Sequence, residues 1–241
     1  MKLSRILLLL LAIQTLAKAE EKPEDTEESC SKTACNETEI NAPVGPQPPA
    51  EIPLPYDSVP GNPPRENLRL PLFQSAWGLN RSIYEKAVTF FEMNKGQIAN
   101  PRYFTIVDFN RPSFAKRLYL FELSAGTVET HAVAAGKNSD SDGDGLATDF
   151  SNEPESKMSS LGFYRTLETY NGAHGLSLRL DGLNPSNSNA FKRAIVVHPA
   201  AYVSDAVPKA GRSWGCPALD PKASPAIIEK IKNGSILLID R

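Results

Sequence analysis

Two residues of this chain could carry nucleophilic chemistry together. They are Cys216, within Ser213-Trp214-Gly215-Cys216-Pro217, and His198, at the end of the apolar run Ala194-Ile195-Val196-Val197. A thiol attacks as the thiolate, and a free cysteine has a pKa of about 8.5, so its surroundings must help remove the proton. An imidazole within reach does this, and the cationic Arg212 adds positive potential nearby. Gly215 permits close backbone approach to a bound carbonyl, which makes the N–H groups of Gly215 and Cys216 candidate donors to the oxyanion formed on attack. Pro217 has no N–H and drops out. The chemistry suggested is acyl transfer through a cysteine thioester, against which stands a buried structural cysteine beside a core histidine, the reading that generic spacing alone favours.

Other chemistry-bearing residues weigh less. His174, in Tyr170-Asn171-Gly172-Ala173-His174-Gly175, could line a groove or rival His198 as base, and its separation from the cysteine turn favours the groove. His131 lies in a strand-like run and reads as structural. A zinc hydrolase would need the three histidines to converge, which is the weaker reading. Asp140-Ser141-Asp142-Gly143-Asp144-Gly145 resembles the opening of a calcium loop, but the twelfth position is Ser151 rather than glutamate. An acidic hairpin tip is the simpler account of Asp140, Asp142 and Asp144.

The elements that must position these residues are mostly strands. Between Trp77 and Ile98 the residues Leu79, Ile83, Ala87, Val88, Phe90 and Phe91 recur at mainly helical spacing, with Asn80 or Ser82 as N-cap and Gly96 as stop. From Tyr103 the texture turns β-rich: YFTIVDF, a turn at Asn110-Arg111-Pro112, RLYLFEL, a break at Gly126, and VETHAVAAG. GFYRTLETY, SLRL, AIVVH and ILLID follow, and a second short helix fits Ser224 to Lys232 with a break at Asn233-Gly234. The expected fold is mostly β, sandwich-like or barrel-like, with a few short helices.

The ends and the charge set the context. Residues 1–19 join Lys2 and Arg5 to an apolar run from Ile6 to Ile13 and a small-residue triplet Ala17-Lys18-Ala19, the pattern of a secretory signal peptide. The run is well short of the ~20 residues a bilayer core requires, so no stable span is expected after cleavage. Glu20 to Glu51 holds nine acidic and two basic residues, and half of the 20 prolines fall between Pro43 and Pro71, so 20–65 is expected to be a disordered tether and 66–241 the folded domain. The remainder of the chain is close to neutral, which argues against a nucleic-acid partner. Cys30 and Cys35 could pair in an exported chain, leaving Cys216 as the odd thiol.

The histidine ending an apolar strand, followed by Ser-x-Gly-Cys, resembles the signature of the L,D-transpeptidase (YkuD-like) family. Phe150-Ser151-Asn152, Ser159-Ser160-Leu161-Gly162-Phe163-Tyr164, Tyr170-Asn171-Gly172 with His174-Gly175, and Ala201-Tyr202-Val203-Ser204 extend the resemblance to murein L,D-transpeptidase catalytic domains over Trp77 to Arg241. It implies that Cys216 is the nucleophile and His198 the base. The residue after the histidine supplies a backbone carbonyl to the imidazole Nδ1–H; it is commonly glycine and here Pro199, which keeps its carbonyl. Ser213, Trp214, Arg212, His174 and Tyr202 become the expected substrate-binding residues. The arginine common two residues after the cysteine is here Ala218, with Arg212, or more weakly Arg165, as replacement. The implied substrate is the stem peptide of peptidoglycan in the periplasm or cell wall, with an amine acceptor giving cross-links or terminal exchange and water giving L,D-carboxypeptidase activity. A wall-binding module without turnover is the reading from another class. No cofactor is called for, and a monomer is expected.

Overall fold

The computed structural model describes residues 55–207 and 209–241; the expected signal peptide, most of the tether and Cys30 and Cys35 lie outside them. Among these residues are twelve strands and two α-helices: β1 (Tyr103–Asp108), β2 (Leu118–Glu122), β3 (Thr127–His131), β4 (Ala135–Gly136), β5 (Gly162–Gly172), β6 (Gly175–Gly182), β7 (Val196–Pro199), β8 (Val203–Ser204), β9 (Lys209–Ala210), β10 (Arg212–Ser213), β11 (Ala218–Leu219) and β12 (Ile236–Asp240), with α1 (Arg81–Asn94) before β1 and α2 (Ser224–Ile231) before β12. Eight strands form one sheet in the order β11-β7-β6-β5-β12-β1-β2-β3.

The central strands are buried on both faces, which is why YFTIVD and ILLID read as nearly continuous apolar runs rather than alternating ones. The period of two sorts their side chains between two cores. Phe104, Ile106, Tyr119, Phe121, Ile236 and Leu238 pack on one side against Ile83, Tyr84, Ala87 and Phe91 of α1. Val107, Leu118, Leu120, Leu237 and Ile239 point the other way, into a core shared with Ile227, Ile228 and Ile231 of α2 and with Cys216. The side chain of Asn80 accepts from Ser82 N at 2.9 Å, capping α1 as its sequence suggests, while Asn80 N donates to Asp108 Oδ2 at 2.8 Å and ties the helix start to the end of β1.

The folded part begins earlier than the composition suggests. Tyr56 is buried in the α1 core with Leu68 and Leu70, and Arg65 holds Lys95 O and Ile98 O, so Tyr56 and Arg65, within the stretch expected as tether, pack on the domain.

The expected single strand VETHAVAAG divides in two. After β3 the chain leaves β2 and crosses to the opposite edge of the sheet, where Val133 bridges Leu219 and Ala134 N donates to Ala218 O at 3.0 Å. That crossing nearly closes the sheet into a barrel. The small side chains of Ala132, Ala134, Ala200, Ala210 and Ala218 let the backbones approach along this seam. Of the remaining short strands, β4 runs parallel to β10 (Ala135↔Arg212, Gly136↔Ser213), and β11 runs parallel to β7 (Ala218↔His198, Leu219↔Pro199).

Candidate active site

Cys216 occupies the turn between β10 and β11, so both arms of that turn are pinned: one to β4, the other to β7. Parallel pairing sets Ala218 opposite His198, and Cys216 therefore stands two residues back along the same edge, beside the strand that carries the histidine. The turn is built from inside. Ser213 Oγ accepts from Gly215 N at 3.1 Å and donates to Cys216 O at 2.7 Å, while Ser159 Oγ donates to Gly215 O at 3.3 Å. Gly215 has φ +123°, and a Cβ there would lie 2.7 Å from Met158 O. Only glycine fits this turn.

His198 is almost fully buried, and its Nδ1 lies 2.9 Å from Pro199 O. A carbonyl only accepts, so Nδ1 carries the proton and Nε2 has the lone pair. Nε2 is buried and has no hydrogen-bond partner among the described residues. Burial holds the imidazolium form down, to a pKa of about 4, against the opposing pull of the Pro199 carbonyl, with His174 lowering it a little further. The Cys216 thiol is buried too, and burial pushes its pKa up; Val196 of β7 and the charge of Arg193 pull it back. At rest the pair is therefore neutral thiol and neutral imidazole. The sulfur rests on the carbonyl of Ala194 at 3.7 Å rather than on His198 Nε2.

His174 sits at the tip of the β5–β6 hairpin, where Gly172 pairs with Gly175, and its ring lies 4.7 Å from that of His198 with 31° between the planes. The hairpin thus folds an imidazole from far back in the sequence onto the proposed base. His131 is elsewhere: its Nδ1 lies 2.5 Å from Asp205 Oδ2, and Asp205 N donates to Asp220 Oδ2. The three histidines do not converge. Among the described residues one cluster has metal-ligand spacing, Asp140, Asp142 and Asp144, with carboxylate oxygens within 4.8 Å of one another and only Asp140 buried. Arg212 donates to Asp140 O at 2.9 Å, and Leu146 N to Asp144 Oδ1 at 2.7 Å, so backbone and side chain both organise the loop.

Several expected substrate contacts have other work. Ser213 is buried, and its hydroxyl braces the cysteine turn. Arg212 reaches the acidic loop rather than the thiol. Gly215 N–H is engaged by Ser213 Oγ, which leaves Cys216 N–H as the candidate oxyanion donor of the two. Arg165 pairs with Asp181 across β5 and β6 on the outside of the sheet. Tyr202 packs against Gly211, where a Cβ would meet its ring at 2.8 Å. Trp214 is half-buried, with Lys157 Nζ 4.4 Å over its ring.

The sequence offered no spacing signal for two residues beside the thiol. Ala194, at φ +53°, turns its carbonyl to the sulfur, and Arg193 lays its guanidinium beneath Gly215. A non-glycine residue in the left-handed region is the one local hint, and it becomes visible only in three dimensions.

A buried cysteine in a turn whose following strand pairs with the strand carrying a buried histidine, on a nearly closed mixed-strand sheet, defines the class of protein by fold and site. Within that class, the chain belongs to the L,D-transpeptidase catalytic domain family, whose model matches residues 75–239. No curated protein sequence matches it significantly. Among solved structures, an L,D-transpeptidase from Mycobacterium smegmatis is 12% identical, with 58% of this chain and 59% of that one covered and a TM-score of 0.38. L,D-transpeptidase 3 from Mycobacterium tuberculosis is 11% identical, covering 58% and 61% of the two chains with a TM-score of 0.39. The match spans about three fifths of the length of these structures.

Proposed function

We propose that this protein is an exported cysteine L,D-transpeptidase that acts on peptidoglycan stem peptides through a thioester on Cys216. The observation that carries the reading is the orientation of His198, whose Nδ1 is spent on Pro199 O and whose buried Nε2 is left with a lone pair and no partner beside the cysteine segment. A buried polar atom without a partner is costly, and in an active site it is kept for a proton.

In the proposed reaction the thiol turns from Ala194 O toward His198 Nε2. Because the imidazolium is disfavoured and the thiol pKa is raised, a standing ion pair is not stable here, and the proton moves as the sulfur attacks. The S–C bond forms at the carbonyl on the L-centre of the stem-peptide diamino acid, and the Cys216 N–H donates to the oxyanion. The C–N bond then breaks, His198 returns its proton to the departing D-amino acid, and a thioester remains. An amine of a second stem peptide attacks next, giving its proton to His198 as the new amide forms. Collapse releases the thiolate, which takes that proton and restores the starting state.

Incubation of the mature protein with tetrapeptide muropeptides tests the reading. A mass increase mapped to Cys216, with cross-linked dimer as product, is expected. Neither adduct nor product would reject it, and tripeptide muropeptide with free D-amino acid but no dimer would replace the amine acceptor by water. Export is tested separately, by fractionating the native host and sequencing the N-terminus of the mature chain.

A further inference from the structure

Arg193 is a charged residue packed on the cysteine turn, and no part of the scheme above uses it. Its guanidinium donates to Ser151 O at 2.7 Å and Met158 O at 2.6 Å, and reaches Ser156 Oγ at 3.2 Å and Ser160 Oγ at 3.5 Å. One side chain thereby grips both ends of the 151–160 loop. On its other side it backs the turn, with Nη2 3.2 Å from where a Cβ on Gly215 would stand. Met158 O, which Arg193 holds, is also the atom that bars any side chain at Gly215. The next residue, Ala194, presents the carbonyl on which the thiol rests.

All of these partners are carbonyls and hydroxyls. Arg193 has no carboxylate at salt-bridge distance among the described residues, and Glu153 and Glu155 act on it less strongly than Tyr164 and Cys216 do. A half-buried guanidinium satisfied in hydrogen bonds but not in charge is an unusual arrangement, since buried charges are normally paired. The groups that face the thiol are few. Tyr164 is held neutral, its pKa pushed up to about 12 by burial, and its hydroxyl is 2.7 Å from Ser160 Oγ. His198 is neutral at rest. Arg193, packed under the Gly215–Cys216 turn, is then the charge that acts on the thiol.

We infer that Arg193 is a positioning residue of the acyl-transfer site: it locks the 151–160 loop under the Gly215–Cys216 turn and serves as the waiting counter-charge for the sulfur when its proton leaves. The same grip sets the neighbouring Lys157 over Trp214, so loss of Arg193 also loosens the wall of the site next to the nucleophile. The direction in which Arg193 moves the thiol, toward easier ionisation, agrees with this role.

The inference rests on the proposed use of Cys216 but is tested without turnover. In the mature protein the ultraviolet absorbance of the thiolate, taken as the difference from C216A, reports the ionisation midpoint of Cys216 alone. In Arg193→Gln that midpoint should rise by about one pH unit, as expected for losing one nearby opposite charge, whereas Arg193→Lys should hold it near the wild-type value. Arg193→Lys keeps the charge but loses the forked grip, so its carbapenem acylation rate should fall at least about tenfold. A folded R193Q with the wild-type midpoint overturns the counter-charge role. If R193Q does not fold, R193K decides: an unchanged acylation rate in the folded variant overturns the inference. Should the wild type lack transpeptidase activity while its thiolate titration still depends on Arg193, the proposed reaction fails and this inference stands.

Discussion

Burial drives Cys216 and His198 apart in proton affinity, and that fixes how the site must respond to pH. With the imidazole pKa at about 4 in place of 6.5, the base stays neutral well into the acid range. The acid limb of kcat/KM on a tetrapeptide substrate should therefore fall through about pH 4; a fall centred near 6.5 would mean that His198 is not the base in this environment. The same shift enters stability. Below the unfolded value of 6.5 the unfolded chain takes up a proton before the native one does, so this contribution is intact at neutral pH and is lost as pH drops toward 4, amounting to ~3 kcal/mol by then. Urea titrations at neutral and mildly acidic pH should show the extra acid sensitivity disappear in His198→Gln. Cys216 fills a small place in the apolar core, so Cys216→Ala should cost about 1 kcal/mol while abolishing covalent capture of a carbapenem, read by intact mass.

Short pieces of chain carry the precision of the site, and they can be disturbed one at a time. The turn from β10 to β11 depends on Gly215, whose φ of +123° and 2.7 Å approach to Met158 O leave no room for a methyl group. Gly215→Ala should lose roughly 2–3 kcal/mol in urea unfolding, together with carbapenem acylation. The α1 cap offers the contrast. Asn80→Ala removes a capping bond far from the thiol and should cost about 1 kcal/mol with acylation unchanged. A loss of acylation in N80A would show that the site responds to general loosening rather than to its own turn.

Two cores flank one curved sheet, and only one of them touches the chemistry. Leu219 lies in the core that includes Cys216 and bridges Val133 where the sheet closes, while Leu68 is buried against α1 on the far side. Leu219→Ala and Leu68→Ala should each cost about 2–5 kcal/mol. Acylation per folded molecule should drop in the former and survive in the latter, because opening the seam moves β11 away from β7. Equal losses would mean that the two cores are mechanically one. At this scale Tyr56 also matters: it packs into the α1 core from within the proline-rich stretch, so burial there follows packing rather than proline content.

The amino-acid sequence by itself determined the strand runs, the capped helix, the cysteine turn, and a histidine followed by a residue with a carbonyl. These are local matters: side-chain period, a capping oxygen, a peptide bond that even proline retains. Direction and reach across the chain were decided by the tertiary structure. Ser213 and Arg212 stand next to the nucleophile in sequence yet turn inward and toward the acidic loop, because β10 alternates its faces and pairs with β4. His174 arrives at His198 through a hairpin, and Arg193 gains its place only when the 151–160 loop folds over it. Cys216 rests on Ala194 O and His198 Nε2 is left without a partner among the described residues, in a packed interior where burial and neighbouring charges set both proton affinities, and none of this exists along an extended chain.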